Sequence, residues 1–118
     1  MTRRAALLAL ALWATAGACL PSRPVRAAPR YTVYGAVTWY RGGYVTYYGE
    51  PVIAGYTAAC GWGYDAFATV TLPDGASYVC TDRGGRLGYW AVDVYGEADI
   101  PARMAACGCA YACPIEVS

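Results

Sequence analysis

The sequence predicts an all-β protein: a small, closed barrel of about six short strands with one short helix before the last strand. Short runs rich in Val, Thr, Tyr and Trp recur along the chain and are separated by glycines, a pattern typical of strands and turns. One segment near the C-terminus has the composition of a helix instead. We favour a barrel over a sandwich because this helix has to cap an open end of the sheet.

The strands are predicted from these runs and from one turn. Pro73-Asp74-Gly75 favours a tight turn, because proline presets φ and glycine accepts a positive φ. The runs on either side of this turn should therefore pair as a hairpin. The strand candidates, in chain order, are residues 31–40, 44–49, 55–60, 66–72, 76–82, 89–95 and 113–117.

The helix is predicted over residues 98–106, which contain good helix formers. Asp99 is the expected N-cap. Ile100 and Met104 are four residues apart and therefore lie on one face of the helix. Gly108 is expected to end it.

Residues 1–27 are predicted to be a signal peptide and linker, and residues 28–118 the folded domain. The chain starts with two arginines, an apolar stretch and small residues, which is the layout of a secretory signal. The apolar stretch is shorter than the roughly 20 residues that a membrane span needs. Cleavage after Ala18 or after Ala27 fits the small residues there, and Ala-Gly-Ala-Cys also resembles a lipoprotein box ending at Cys19. We expect export to the periplasm, cell envelope or extracellular space, either free or with a lipid anchor at Cys19.

The charge balance excludes several classes of function. Beyond residue 27 the chain has five arginines, eight acidic residues and no lysine. Without a cluster of basic residues, nucleic acid is not an expected partner. The chain has no histidine, which excludes Ser-His-Asp and Cys-His catalysis in their usual forms and every His-ligated metal site. We predict a monomer without a metal or other cofactor.

Six cysteines in a short exported chain predict disulfides. Signal cleavage or lipidation would remove Cys19, which leaves five cysteines, at most two disulfides and one unpaired thiol. Cys60 can pair with Cys80 or with one of the three C-terminal cysteines. Export to an oxidising compartment and the absence of histidine disfavour a metal knuckle in the run CGCAYAC. The disulfide candidates are Cys60, Cys80, Cys107, Cys109 and Cys113.

Asp93 lies inside an apolar run, where a carboxylate is costly to bury. Because side chains alternate between the two faces of a strand, Asp93 should point with Ala91 and Tyr95 to the outside of the barrel. The residues predicted on the core side are Trp90, Val92 and Val94. Partial desolvation among aromatic rings raises the pKa of a carboxyl group and suits it to donate a proton near neutral pH.

Asp82 ends the preceding strand candidate, and the glycine-rich loop 83–88 joins it to the strand of Asp93. We expect the two acids on adjacent strands, close enough for each to shift the pKa of the other. Structural interpretations remain open. An aspartate near glycines can simply cap a turn, and Arg83, Arg86 or backbone N–H groups can satisfy a strand aspartate.

The stretch DRGGRLGYWAVDVYG is similar to the aspartate signature of the three-aspartate (3D) domain and of the C-terminal barrel of membrane-bound lytic transglycosylase A. The shared pattern is Asp-x-Gly-Gly, an aliphatic residue, then a second aspartate followed by an aliphatic and an aromatic residue. Rare lipoprotein A and the expansins share the same barrel. The resemblance covers about residues 33–117 and implies a six-stranded double-psi β-barrel for the domain 28–118. This chain departs from the family at Ala59-Cys60, where the first of the three aspartates is missing, and it lacks the transglycosylase's large substrate-gripping domain.

The resemblance implies cleavage of peptidoglycan, a cell-wall glycan. The aspartate that matches Asp93 is the acid/base of the transglycosylases: it protonates the glycosidic oxygen and then takes the proton of the muramic acid 6-hydroxyl, which attacks to form a 1,6-anhydro ring. Asp82 would orient the site or tune the pKa of Asp93. Aromatic residues can stack on sugars or simply pack the fold. The substrate-binding candidates are Tyr40, Trp39, Trp62, Trp90 and Tyr95. Two alternatives are a non-catalytic glycan-binding module and a disulfide-stapled structural protein in which the acids only fix the turn.

Overall fold

The computed structural model of the chain describes Cys19 and residues 30–118. Within these residues, seven strands form one nearly closed, barrel-shaped sheet, and one helix precedes the last strand, so the predicted all-β class is confirmed. The elements are β1 (Tyr31–Gly35), β2 (Val37–Tyr40), β3 (Thr57–Cys60), β4 (Thr69–Thr71), β5 (Ser77–Arg83), β6 (Val92–Tyr95), α1 (Ile100–Ala106) and β7 (Cys113–Val117). Their order across the sheet is β1-β7-β4-β5-β3-β6-β2.

The sheet closes on itself through the first strand candidate. β1 pairs with β7 and β2 pairs with β6, so the two ends of the sheet order are consecutive in the chain, with only Ala36 between them. The predicted strand 31–40 is therefore two strands, and the described residues form seven strands where about six were expected. A side chain at Gly35 would collide with the carbonyl oxygen of Trp90. Glycine thus permits the close backbone approach at the point where the chain stops pairing with β7 and begins to pair with β6.

Residues 44–49 do not form the predicted strand and belong to the β2–β3 loop instead. The β-pairing in this segment is limited to one isolated bridge between Val45 and Pro51. Gly43 and Gly49 both have positive φ, a conformation that turns the chain away from the extended path of a strand.

The alternation predicted around Asp93 is confirmed along β6. Val92 and Val94 are fully buried, whereas Asp93 and Tyr95 remain partly exposed. Ala91, which we predicted to face outwards, is buried; it precedes the first residue of β6, so the alternation of the strand does not determine its side. The largest fully buried side chains include Tyr64, Val70, Ile100, Ile115 and Val117.

The helix α1 begins two residues later than predicted. Asp99 occupies the N-cap position, but its side chain makes no capping hydrogen bond, because its backbone lies in the helical region and not in the extended conformation of a capping residue. Ile100 and Met104 are buried on one face. Gly108, with φ of 76°, ends the helix in a Schellman motif, in which the N–H of the next residue donates to the carbonyl of Met104.

Arg103 connects α1 to the β4–β5 hairpin. Its guanidinium donates to Asp74 Oδ2 at 2.7 Å, to the phenol oxygen of Tyr78 at 3.0 Å, and to the Glu97 carboxylate. The Tyr78 phenol donates to the same carboxylate. These charged groups are mostly buried, so removing one partner leaves the others uncompensated.

Three disulfides link the described cysteines, and none of these cysteines is free. The pairs are Cys19–Cys107, Cys60–Cys80 and Cys109–Cys113. The prediction of two disulfides and an unpaired thiol is wrong, because Cys19 pairs with Cys107. A thioether lipid would use the same sulfur atom of Cys19, so this disulfide and a lipid anchor exclude each other.

The three disulfides are consistent with an exported protein. The predicted signal peptide falls on residues outside those that the structure describes, apart from Cys19. Over the described residues, no helix has the length and apolar character needed to cross a membrane.

Candidate active site

Two aspartates lie in one row across the outer face of the barrel. Asp82 on β5 is the register neighbour of Ala59 on β3, and Ala59 is the neighbour of Asp93 on β6. Thr38 on β2 extends the row beyond Asp93. Because β3 lies between β5 and β6, the prediction that the acids occupy adjacent strands is wrong. Two strand spacings place their Cα atoms about 10 Å apart, and Ala59 on the strand between them is buried.

A β-bulge turns Asp82 to the outside. Simple alternation from the buried Cys80 would point Asp82 into the core. The register between β3 and β5 shifts, however: Ala58 lies opposite Cys80, and Ala59 lies opposite Asp82. Thr81 is the extra residue, and its buried hydroxyl has no hydrogen-bond partner. The bulge therefore re-aims one side chain, as bulges near functional sites commonly do.

Asp93 is a half-buried carboxylate with one oxygen left free. Thr38 Oγ1 donates to Oδ1 at 2.7 Å. No described residue donates a hydrogen bond to Oδ2, and the ion pairs of the described chain do not include this group. Burial raises the pKa of Asp93; the Thr38 hydrogen bond opposes the rise, and the charge of Asp82 adds to it. Asp93 thus keeps its proton to a higher pH than an ordinary aspartate, as a general acid must.

Asp82 has both carboxylate oxygens occupied. The Tyr40 phenol donates to Oδ2 at 2.8 Å, and the backbone N–H groups of Tyr47 and Arg83 donate to Oδ1 at 2.7 and 2.8 Å. These bonds tie the end of β2 and the β2–β3 loop to β5. Burial, followed by the bond to Asp82, raises the pKa of Tyr40, so the phenol stays a donor. Asp82 therefore holds Tyr40 and the β2–β3 loop in place, and its charge contributes to the raised pKa of Asp93.

Only two of the predicted aromatic residues stand directly beside the acids. Tyr40 and Tyr95 are register neighbours on β2 and β6, and their rings meet edge to face with centroids 5.3 Å apart. They alternate with buried residues and so share the outer face with Asp93. Trp39 and Trp90 are partly buried and pack against the core instead. Their indoles therefore do not belong to the row of acids.

A second group of rings borders Asp82, and we call it the aromatic platform: Tyr47, Tyr48, Trp62 and Phe67. Ring centroids are 5.0 Å apart for Tyr47 and Tyr48, 5.8 Å for Tyr47 and Trp62, and 5.3 Å for Tyr48 and Phe67. Of these residues only Trp62 is a candidate from sequence. Both tyrosines lie in the segment predicted to be a strand, so their approach to Asp82 through a loop was missed.

Arg83 holds the aromatic platform in place. Its Nε donates to the Tyr48 phenol at 2.7 Å, and its two terminal nitrogens donate to the carbonyls of Gly61 and Tyr64 at 2.6 and 2.7 Å. Its guanidinium carbon lies 4.7 Å from the centroid of the Trp62 ring, within cation–π range. Every guanidinium nitrogen is thus engaged inside the fold. The Arg83 guanidinium therefore pairs with neither aspartate in the described chain. Of the structural alternatives, the one that the structure shows is backbone N–H groups, since Asp82 accepts from those of Tyr47 and Arg83.

Phe67 has an unusual backbone for its residue type. It is the one non-glycine residue of the described chain with a positive φ, 62°, and a left-handed conformation costs such a residue about 1–2 kcal/mol. Its side chain is half exposed, so core packing does not account for it. The Phe67 N–H donates to the Cys80 carbonyl at 2.9 Å, which holds the backbone at this position, and the ring lies beside that of Tyr48.

Comparison of the chain with protein-family models, curated proteins and solved structures found no match. Among the described residues, no group of three or more Cys, Asp or Glu side chains is placed to hold a metal ion. The fold and the site together define a disulfide-bonded β-barrel with two acids and an aromatic platform on its outer face.

Proposed function

We propose that this chain is an exported, monomeric double-psi β-barrel that cleaves the glycan strands of peptidoglycan, as lytic transglycosylases do. Support comes from the site more than from the fold. Asp93 is half-buried, is not ion-paired in the described chain, and has one free oxygen on the face that it shares with the partly exposed rings of Tyr40 and Tyr95.

The occupancy of the two carboxylates favours a mechanism with a single acid. Hydrolysis by paired carboxylates needs both groups free to act on the substrate or on water. Asp82 accepts hydrogen bonds at both oxygens, whereas Asp93 keeps Oδ2 free. A substrate that carries its own nucleophile requires only one carboxyl group with a free oxygen, such as Asp93. The free Oδ2 of Asp93 is therefore the observation that carries the proposal.

In the proposed reaction Asp93 acts twice. It gives its proton to the glycosidic oxygen as the bond between that oxygen and the anomeric carbon breaks. The carboxylate then takes the proton of the 6-hydroxyl while that oxygen bonds to the same anomeric carbon, and Asp93 ends protonated as it began. Thr38 holds Oδ1, so the proton is carried by the free Oδ2.

Glycan binding without cleavage is the second candidate function. The structure places Ala59 between the two acids, where the family resemblance implies an acid. A site without this carboxylate but with its aromatic rings would bind a glycan strand and not cleave it efficiently.

Digestion of purified peptidoglycan separates the two. Wild type should release 1,6-anhydromuramic products, detectable by mass spectrometry, whereas Asp93→Asn should release none. Asp65→Asn is the matched control, since Asp65 is exposed and lies outside the row of acids, and it should act as wild type. Binding of peptidoglycan by wild type without products would replace the first function by the second. Equal product from Asp93→Asn would overturn the role of Asp93.

A further inference from the structure

We propose that the aromatic platform is a sugar-stacking subsite, which holds glycan residues next to the one at Asp93. The inference rests on the proposed function for its substrate class. It assigns binding to Tyr47 and Phe67, beside Trp62, and makes affinity depend on the length of the glycan that reaches them.

The platform rings are exposed yet fixed. Tyr47, Trp62 and Phe67 are 65%, 56% and 50% exposed. Trp62 is held by the Arg83 guanidinium near its ring and by the edge of Tyr47. Rings that are immobilised before binding lose little conformational entropy when a ligand covers them. The exposed aromatic surface is thus pre-organised for a ligand.

The platform is continuous with the acids. The Tyr47 backbone N–H donates to Asp82 Oδ1 at 2.7 Å, while the Tyr47 ring contacts Trp62. Asp82 also accepts a hydrogen bond from the Tyr40 phenol. The Tyr40 ring contacts that of Tyr95, which lies on the same face of β6 as Asp93. A glycan strand that places one sugar at Asp93 therefore has a surface for further sugars without leaving this face.

The chemistry of the platform favours a sugar ring over an anion. Arg83 is the cation of this cluster, and each of its guanidinium nitrogens already donates within the fold. Aromatic faces carry partial negative charge, which attracts the C–H groups on the less polar face of a pyranose. Four of the five N–H groups of Arg83 donate within the fold, which leaves at most one for a phosphate or carboxylate and no bidentate pair.

The conformation of Phe67 supports a binding role independently. Glycine or asparagine adopts its left-handed backbone more easily, and half of the ring is in solvent. Strained residues of this kind cluster at ligand sites. Burial in the fold explains neither the residue type nor the conformation.

Binding is tested in the Asp93→Asn protein, so that cleavage cannot remove the ligand. The probe is a set of peptide-free peptidoglycan glycan strands of increasing length, titrated by isothermal calorimetry. Affinity should rise with length, and adding Trp62→Ala should lower it by about tenfold for long strands and leave disaccharide binding unchanged. Tyr111→Ala, which removes a ring that is 90% exposed and outside the platform, should not change affinity.

A second variant guards against misfolding. Phe67→Gly should keep the melting temperature close to that of the parent, because it relieves the strain of the left-handed backbone. It should nevertheless lower the affinity for long glycan strands, as Trp62→Ala does. Equal affinity in the Trp62→Ala and parent proteins, or no rise with length, would overturn the subsite. Platform-dependent binding together with a wild type that makes no anhydro products would support the subsite and reject only the proposed cleavage.

Discussion

The two aspartates should respond to substitution in opposite ways. Asp82 accepts three hydrogen bonds, and Asp82→Ala leaves three donors without an acceptor. At about 1 kcal/mol for each bond, the variant should lose about 3 kcal/mol of unfolding free energy. Because small domains have about 5–15 kcal/mol in all, it should remain folded but unfold at a clearly lower urea concentration.

Asp93→Asn should stabilise the protein at neutral pH. Burial raises the pKa of Asp93 above its ordinary value of 3.8, so between these two values the folded state binds more protons than the unfolded state. Wild-type stability therefore falls as the pH rises through that interval. Asparagine keeps the acceptor for Thr38 and has no charge to desolvate. The variant should match the wild type most closely at low pH and exceed its stability at neutral pH.

Urea unfolding, followed by circular dichroism with the disulfides intact, measures both effects from about pH 3 to about pH 8. Asp65→Asn serves again as the exposed control. A loss below about 1 kcal/mol for Asp82→Ala would refute its positioning role. If the difference in unfolding free energy between Asp93→Asn and the wild type does not change with pH, the claim that burial raises the pKa of Asp93 is refuted.

Three further substitutions test the frame of the site. Cys19→Ser should leave Cys107 as one maleimide-reactive thiol and, because the disulfide spans 88 residues, lower the unfolding free energy by about 4–5 kcal/mol; no new thiol would refute that pairing. Gly61→Ala should cost about 1–3 kcal/mol in urea unfolding, since its Cβ would collide with the Gly88 carbonyl. Arg103→Met should cost about 2–3 kcal/mol and lower the melting temperature, because it leaves buried carboxylates unpaired. An unchanged melting temperature would contradict this role.

Local patterns in the sequence predicted much of the fold. The last strand, Cys113–Val117, and the alternation around Asp93 follow from two-residue periodicity. The break at Ala36 does not, because it depends on which distant strand each half of the ribbon meets. The loop at 44–49 does have a local signal in the sequence, because glycines flank this run of strand-forming residues and adopt positive φ.

The acids show where prediction from sequence ends. The motif drew attention to Asp82 and Asp93, but alternation from Cys80 would have placed Asp82 in the core. Only the bulge at Thr81 turns it outwards, and a bulge has no reliable signature in one sequence. The insertion of β3 between the acids is equally hidden, since it is a long-range pairing.

The Cys60–Cys80 disulfide links this geometry to the stability of the fold. Cys60 follows Ala59 on β3, and Cys80 precedes the bulge on β5, so the bond joins the two strands on the core side, opposite the acids. A residue slip between these strands would move Asp82 to the other face. A covalent link opposes such a slip, which matters in a small domain that also carries a desolvated carboxyl group and a left-handed phenylalanine. The disulfide therefore fixes the register on which the spacing of Asp82 and Asp93 depends.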